Sequence, residues 1–194
     1  MKTKEDLGAW IKRGQQRTAV ARVLRKPMIG TEICAAARRL TPCIRLRDVN
    51  LHLKQMRQRR LVYCLNPRQV TGKLHFFTDA GRRLMRSALG LRIVPEDLAV
   101  DYAKYSFVIR ASIRKAIVRE MDLLERRNPH GIRISRLRNA LNERRPIGVN
   151  PVSHAVRDLI MAGVLKSLPL NKTRTRHAFR LAYVGRKILS EMNR

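Results

Sequence analysis

Residues 45–81, RLRDVNLHLKQMRQRRLVYCLNPRQVTGKLHFFTDAG, constrain the fold of this chain more than any other stretch. Val49, Leu53, Met56 and Arg60 recur at i, i+4, i+7 and i+11, the spacing of one helical stripe. The next five residues, LVYCL, are rich in strand-forming side chains. Asn66-Pro67 and Thr71-Gly72 bracket a turn, and KLHFFT over 73–78 reads as the return strand. The order is therefore helix, strand, turn, strand. Between Val49 and Pro95 the only acid is Asp79, against Lys54, Arg57, Arg59, Arg60, Arg68, Lys73, Arg82, Arg83, Arg86 and Arg92.

The segments HLKQMRQRRLVYCLNP and GKLHFFTDAGRRLM resemble the winged helix-turn-helix domains of small prokaryotic regulators, the MarR and ArsR type especially. That family's pattern is HL..L...GLV, a short wing, then a strand ending in LT..G..L. Leu53, Met56, Leu61, Val62, Thr78, Gly81 and Leu84 occupy those places, and Arg60 stands where the family often has Gly. The resemblance implies a mainly α fold with small β-hairpin wings, a helix that reads DNA and a basic wing. It points to a fold and to no particular regulated gene.

Charge supports a polyanionic partner. The chain has 194 residues and a formal net charge of +29, far beyond what solubility requires and opposed to compact folding. Nucleic acid fits better than membrane, since no long basic amphipathic helix or lipid signal occurs. The charged start, MKTKEDLGAWIKRG, has no apolar core for export. Cys34, Cys43 and Cys64 are odd in number and lack CxxC spacing, which suits a reducing cytoplasm; with a nucleic-acid partner, the expected location is cytoplasmic and nucleoid-associated.

In chain order, residues 1–14 read as a loose start or a leading helical turn. Helices are expected over 15–24 and from Thr31, the first stopped at Lys26-Pro27. A further helix is expected over 79–87 and a linker with Gly90, Pro95 and three acids over 88–104. One long helix should fill 105–125. The second half then repeats the first. Val152, Val156, Leu159, Val164 and Leu165 match Val49, Leu53, Met56, Leu61 and Val62, each 103 residues later, and Gly185 matches Gly81, 104 residues later. This predicts tandem winged helix-turn-helix domains at 1–87 and 105–194, mainly α with β-hairpin wings, with Asn150-Pro151 capping the second reading helix.

With Val49, Leu53 and Met56 facing the core, the opposite helix face carries Arg47, Asn50, Leu51, Lys54 and Gln58. Arg and Lys suit guanine acceptors and Asn and Gln suit adenine. Arg57, Arg59 and Arg60 fall at the flank and end, where phosphates would lie. The same face in the second half is Asn150, Ser153, His154, Arg157 and Met161. Wing residues Arg68 and Lys73, then Lys172, Arg174, Arg176 and Arg180, are expected along the DNA backbone or minor groove. The first half should contribute more affinity. Asp158, the counterpart of Gln55, puts an acid near the second reading face, where it would repel phosphate.

No paired carboxylates, nucleophile motif or Gly-rich phosphate loop suggests an enzyme, and no cofactor is implied. His52, Cys64 and His75 are the residues a metal or redox sensor would use, though their spacing is not that of a metal site. The reading is a duplex DNA-binding regulator, either a monomer with two DNA-binding domains or a homodimer, with no membrane partner. The alternatives are a replication initiator, an architectural nucleoid protein or an RNA-binding protein.

Overall fold

The computed structural model describes residues 6–144, 146, 148–169 and 177–193. The chain forms two compact units, Met1–Glu96 and Asp97–Arg194. Its architecture is mainly helical with two small antiparallel sheets, the α+β build of a winged helix.

The first unit runs α1 (Leu7–Arg13), α2 (Gln15–Val23), β1 (Met28–Ile29), α3 (Gly30–Ala37), α4 (Leu46–Gln58), β2 (Val62–Cys64), β3 (Leu74–Phe77) and α5 (Asp79–Leu89). The second repeats that order with α6 (Tyr102–Ile109), α7 (Ser112–Glu125), β4 (Ile132–Arg133), α8 (Ile134–Arg144), α9 (Val149–Met161), β5 (Leu165–Pro169), β6 (His177–Leu181) and α10 (Tyr183–Asn193). The sheets are ordered β1-β3-β2 and β4-β6-β5. Cys64 pairs with His75 and Val62 with Phe77, while Leu165 pairs with Leu181 and Pro169 with His177. Because β3 is the central strand, Leu74, His75, Phe76 and Phe77 are all buried, and the usual in–out alternation is lost.

The helical stripe of α4 packs inward. Val49, Leu53 and Met56 join Ile11, Val20, Leu24, Ile33, Phe76 and Met85 in the first core. In the second unit Val152, Val156 and Leu159 are buried, as are Ile117, Met121 and Ile188. Corresponding backbone contacts recur in both units. Leu61 N donates to Met56 O at 2.9 Å and Val164 N to Leu159 O at 2.8 Å. Thr78 N donates to Leu61 O and Ala182 N to Val164 O, both at 3.0 Å. The last helix of each unit then crosses this carbonyl so closely that only glycine fits. A Cβ on Gly81 would lie 2.1 Å from Leu61 O, and one on Gly185 would lie 2.3 Å from Val164 O.

Several elements differ from their sequence expectation. The leading helix runs beyond a single turn: Asp6 caps the seven-residue α1 by accepting from Gly8 N at 2.8 Å, and Trp10 and Ile11 are buried. The stretch 88–104 carries core residues, with Leu91 and Ile93 packed in the first unit. There α5 ends on left-handed Gly90, and Leu91 N reaches back to Met85 O at 3.2 Å. Burial pushes the Glu96 carboxyl up. Hydrogen bonds from Tyr63, from its own backbone and from Arg82, together with the charge of Arg82, outweigh that and hold it below the usual range. The long helix expected over 105–125 is broken at Ala111, which is extended, and Arg114 folds over the Phe107 ring across the break at 3.7 Å.

Candidate nucleic-acid interface

Helix α4 separates its two faces cleanly. Arg45 N donates to Asp48 Oδ2 at 3.0 Å, so the one acid of this helix closes its first turn and complements the positive end of its dipole. The solvent face presents Arg47, Asn50, Leu51, Lys54, Arg57 and Gln58, all exposed. Arg47 also pairs with Asp48 at 3.4 Å while its side chain stays 77% exposed. Asn50 leans on the start of α3, where a Cβ on Gly30 would come within 3.0 Å of its Oδ1. A bare glycine there is what leaves room for the amide.

The end of α4 corrects one assignment. Arg57 and Arg60 are exposed, but Arg59 turns back, and its guanidinium lies 4.1 Å from the centre of the Trp10 ring. Arg17 covers the same ring at 3.7 Å and donates to Trp10 O. Cation–π attraction thus fixes Arg59 to α1, away from the place among phosphates that helical spacing alone assigned to it. Arg60 has φ 56°, the left-handed region, and Gly163 holds the same position of the second unit with φ 67°.

The first wing is organised by Asn66, which is buried. Its Oδ1 accepts from Leu74 N at 2.7 Å, while Nδ2 donates to Gly72 O at 3.0 Å and Gln69 Oε1 at 2.6 Å. This staples the turn, whose Gly72 has φ 68°. Arg68 and Lys73 are exposed on the wing, with Val70 92% exposed at its tip. At the wing base His75 is buried with Nδ1 unpartnered, and its pKa is pushed down to about 4. Burial is the main cause, and the charges of Arg57 and Lys73 add to it. Helix and wing cations therefore converge around one neutral imidazole.

In the second unit Asn150, Ser153, His154 and Arg157 are exposed along α9, and Met161 is 81% exposed at its end. The expected Asn150-Pro151 cap is displaced: the helix starts at Val149 with Gly148 as N-cap, so Asn150 lies inside its first turn. Asp158 meets Arg114 of α7 at 3.9 Å, which offsets part of its charge. Lys172, Arg174 and Arg176 lie outside the described residues. Arg180 is half-exposed. It pairs with Lys166 in β6 against β5, and its Nε is buried without a hydrogen-bond partner.

The sequence reading missed a cationic recess in the first unit. A cavity of about 500 Å³ is lined by Lys12, Arg13, Gln15, Thr18, Ala19, Arg22, Leu40 and Thr41, with no acid among them. Its cations come from two helices and the far wall from the α3–α4 turn, so no single stretch of sequence signals it. For a metal sensor, Cys64 and His75 are cross-strand partners, but His52 bonds to Gln55 and Gln16 on its own side of α4. No cluster of three His, Cys, Asp or Glu that could hold a metal occurs among the described residues. No helix among them is long and apolar enough to cross a membrane.

No family model matches this chain, and no curated protein matches it. Among solved structures, it is similar to that of Bacillus subtilis PadR in complex with operator DNA. The match has 19% identity and a TM-score of 0.31, and covers 74% of this chain and 96% of that chain.

Proposed function

We propose that the chain is a duplex DNA-binding protein of the regulator type, built from two tandem winged helices. The observation that carries this reading is the outward face of α4: Arg47, Asn50, Lys54, Arg57 and Gln58 are exposed together, in a chain of net charge +29. A 13-residue helix with one apolar and one cationic face has the dimensions of a major-groove reader. The wing cations Arg68 and Lys73 would lie on the backbone beside it, with Arg57 on phosphate. In the second unit α9 takes the equivalent place through Asn150, Ser153, His154 and Arg157. Lys172, Arg174 and Arg176 supply the charge of the second wing. One chain then presents two reading helices.

The test is a competition titration of the full chain, with labelled duplex DNA challenged by unlabelled duplex DNA and by duplex RNA of the same sequence. The expected result is displacement by DNA at much lower concentration than by RNA. Displacement by RNA at equal or lower concentration contradicts the reading, because A-form RNA buries its major groove beyond the reach of a helix.

A further inference from the structure

The reading face of α4 contains one residue that no hydrogen-bonding role accounts for. Leu51 is 51% exposed, and its neighbours one turn away on the same face are Arg47 and Lys54, with Gln58 a turn further on. The core of the unit is already served by Val49, Leu53 and Met56 from the opposite side of this helix. Leu51 therefore lies outside that core and leaves half of its surface in water at the centre of a polar stripe.

We propose that Leu51 makes the α4 half-site thymine-dependent by packing on a thymine 5-methyl group. The proposal rests on the reading above, that α4 enters the major groove. In that groove the base edges offer donors, acceptors and a single apolar feature, the thymine methyl. Arg47, Asn50, Lys54 and Gln58 match the donors and acceptors, and Leu51 matches the methyl. In α9 the residue at the corresponding place, 103 positions on, is His154, whose ring is polar. The thymine dependence therefore belongs to one half-site and not to both.

The experiment uses the full chain and a duplex recovered by selection from random sequence. Each thymine of that duplex is replaced in turn by deoxyuridine, which removes only the methyl group. The expected result is that one or two replacements, confined to one half-site, weaken binding roughly three- to fivefold, the scale of one buried methyl. In Leu51→Ala the same replacements should have no effect, while Leu51→Met should keep most of the discrimination. Uniform binding of thymine and uracil duplexes by the native chain overturns this inference and leaves the DNA-binding reading standing. So does discrimination that survives unchanged in Leu51→Ala. Failure to bind any duplex overturns both.

Discussion

At the residue scale, the C-terminal ends of α4 and α9 offer a matched comparison. Arg60 and Gly163 occupy the same turn with φ 56° and 67°, a conformation that disfavours any side chain with a Cβ by roughly 1–2 kcal/mol. Arg60→Gly should therefore stabilise the protein, by about 1 kcal/mol after glycine's greater chain entropy is deducted, and raise a thermal midpoint by several degrees. Gly163→Ala should lower it by a similar amount. A drop in midpoint for Arg60→Gly in calorimetry would show that the arginine side chain contributes more than its backbone costs. His75 gives a second prediction. Its folded-state pKa lies near 4 against an ordinary 6.5, so the unfolded chain binds the proton more tightly. Its contribution is complete above pH 6.5 and is lost as pH falls towards 4, on the order of 3 kcal/mol in all. In denaturant titrations at several pH values, His75→Gln should flatten the fall in stability over that window. An unchanged slope rules out His75 as its source.

At the scale of elements, what was legible depended on length. The 13 residues of α4 cover more than three turns, so the stripe Val49, Leu53, Met56 and the opposite polar face could both be read from period alone. The strands β1 and β4 have two residues each, too few to show any period, and they exist only because β3 and β6 offer them an edge. The break at Ala111 was hidden because it involves neither Gly nor Pro, and the apolar period runs through it. Contacts distant in sequence were equally invisible: Arg59 on Trp10, and Arg114 beside Asp158. The second of these bears on the unequal halves. Asp158 was expected to repel phosphate from α9, and Arg114 weakens that repulsion without supplying α9 with new cations on its outer face. Replacing Arg47 and Lys54 together by Ala should thus still be the more damaging change, at about 1–3 kcal/mol per lost base contact. Replacing Asn150 and Arg157 should cost less. A binding titration that ranks the two double variants the other way contradicts the dominance of α4.

At the scale of the molecule, two units of like element order share one chain, and binding by one raises the effective concentration of the other. Footprinting should show protection longer than a single major-groove contact, with two half-sites of different sequence, because the faces of α4 and α9 differ at every matched position. A short perfect palindrome bound by two chains would instead identify a dimer that reads with one helix per chain. All of this depends on the claim that charge directs the protein to duplex DNA, and the salt dependence of binding tests that claim most directly. Each phosphate neutralised by Arg or Lys releases counterion, so log affinity plotted against log salt is a line whose slope counts the contacts. For a chain of net charge +29, the expected result is a steep line, with affinity falling by on the order of 10³ or more between about 50 and 200 mM salt. An affinity that hardly changes across that range would contradict the account.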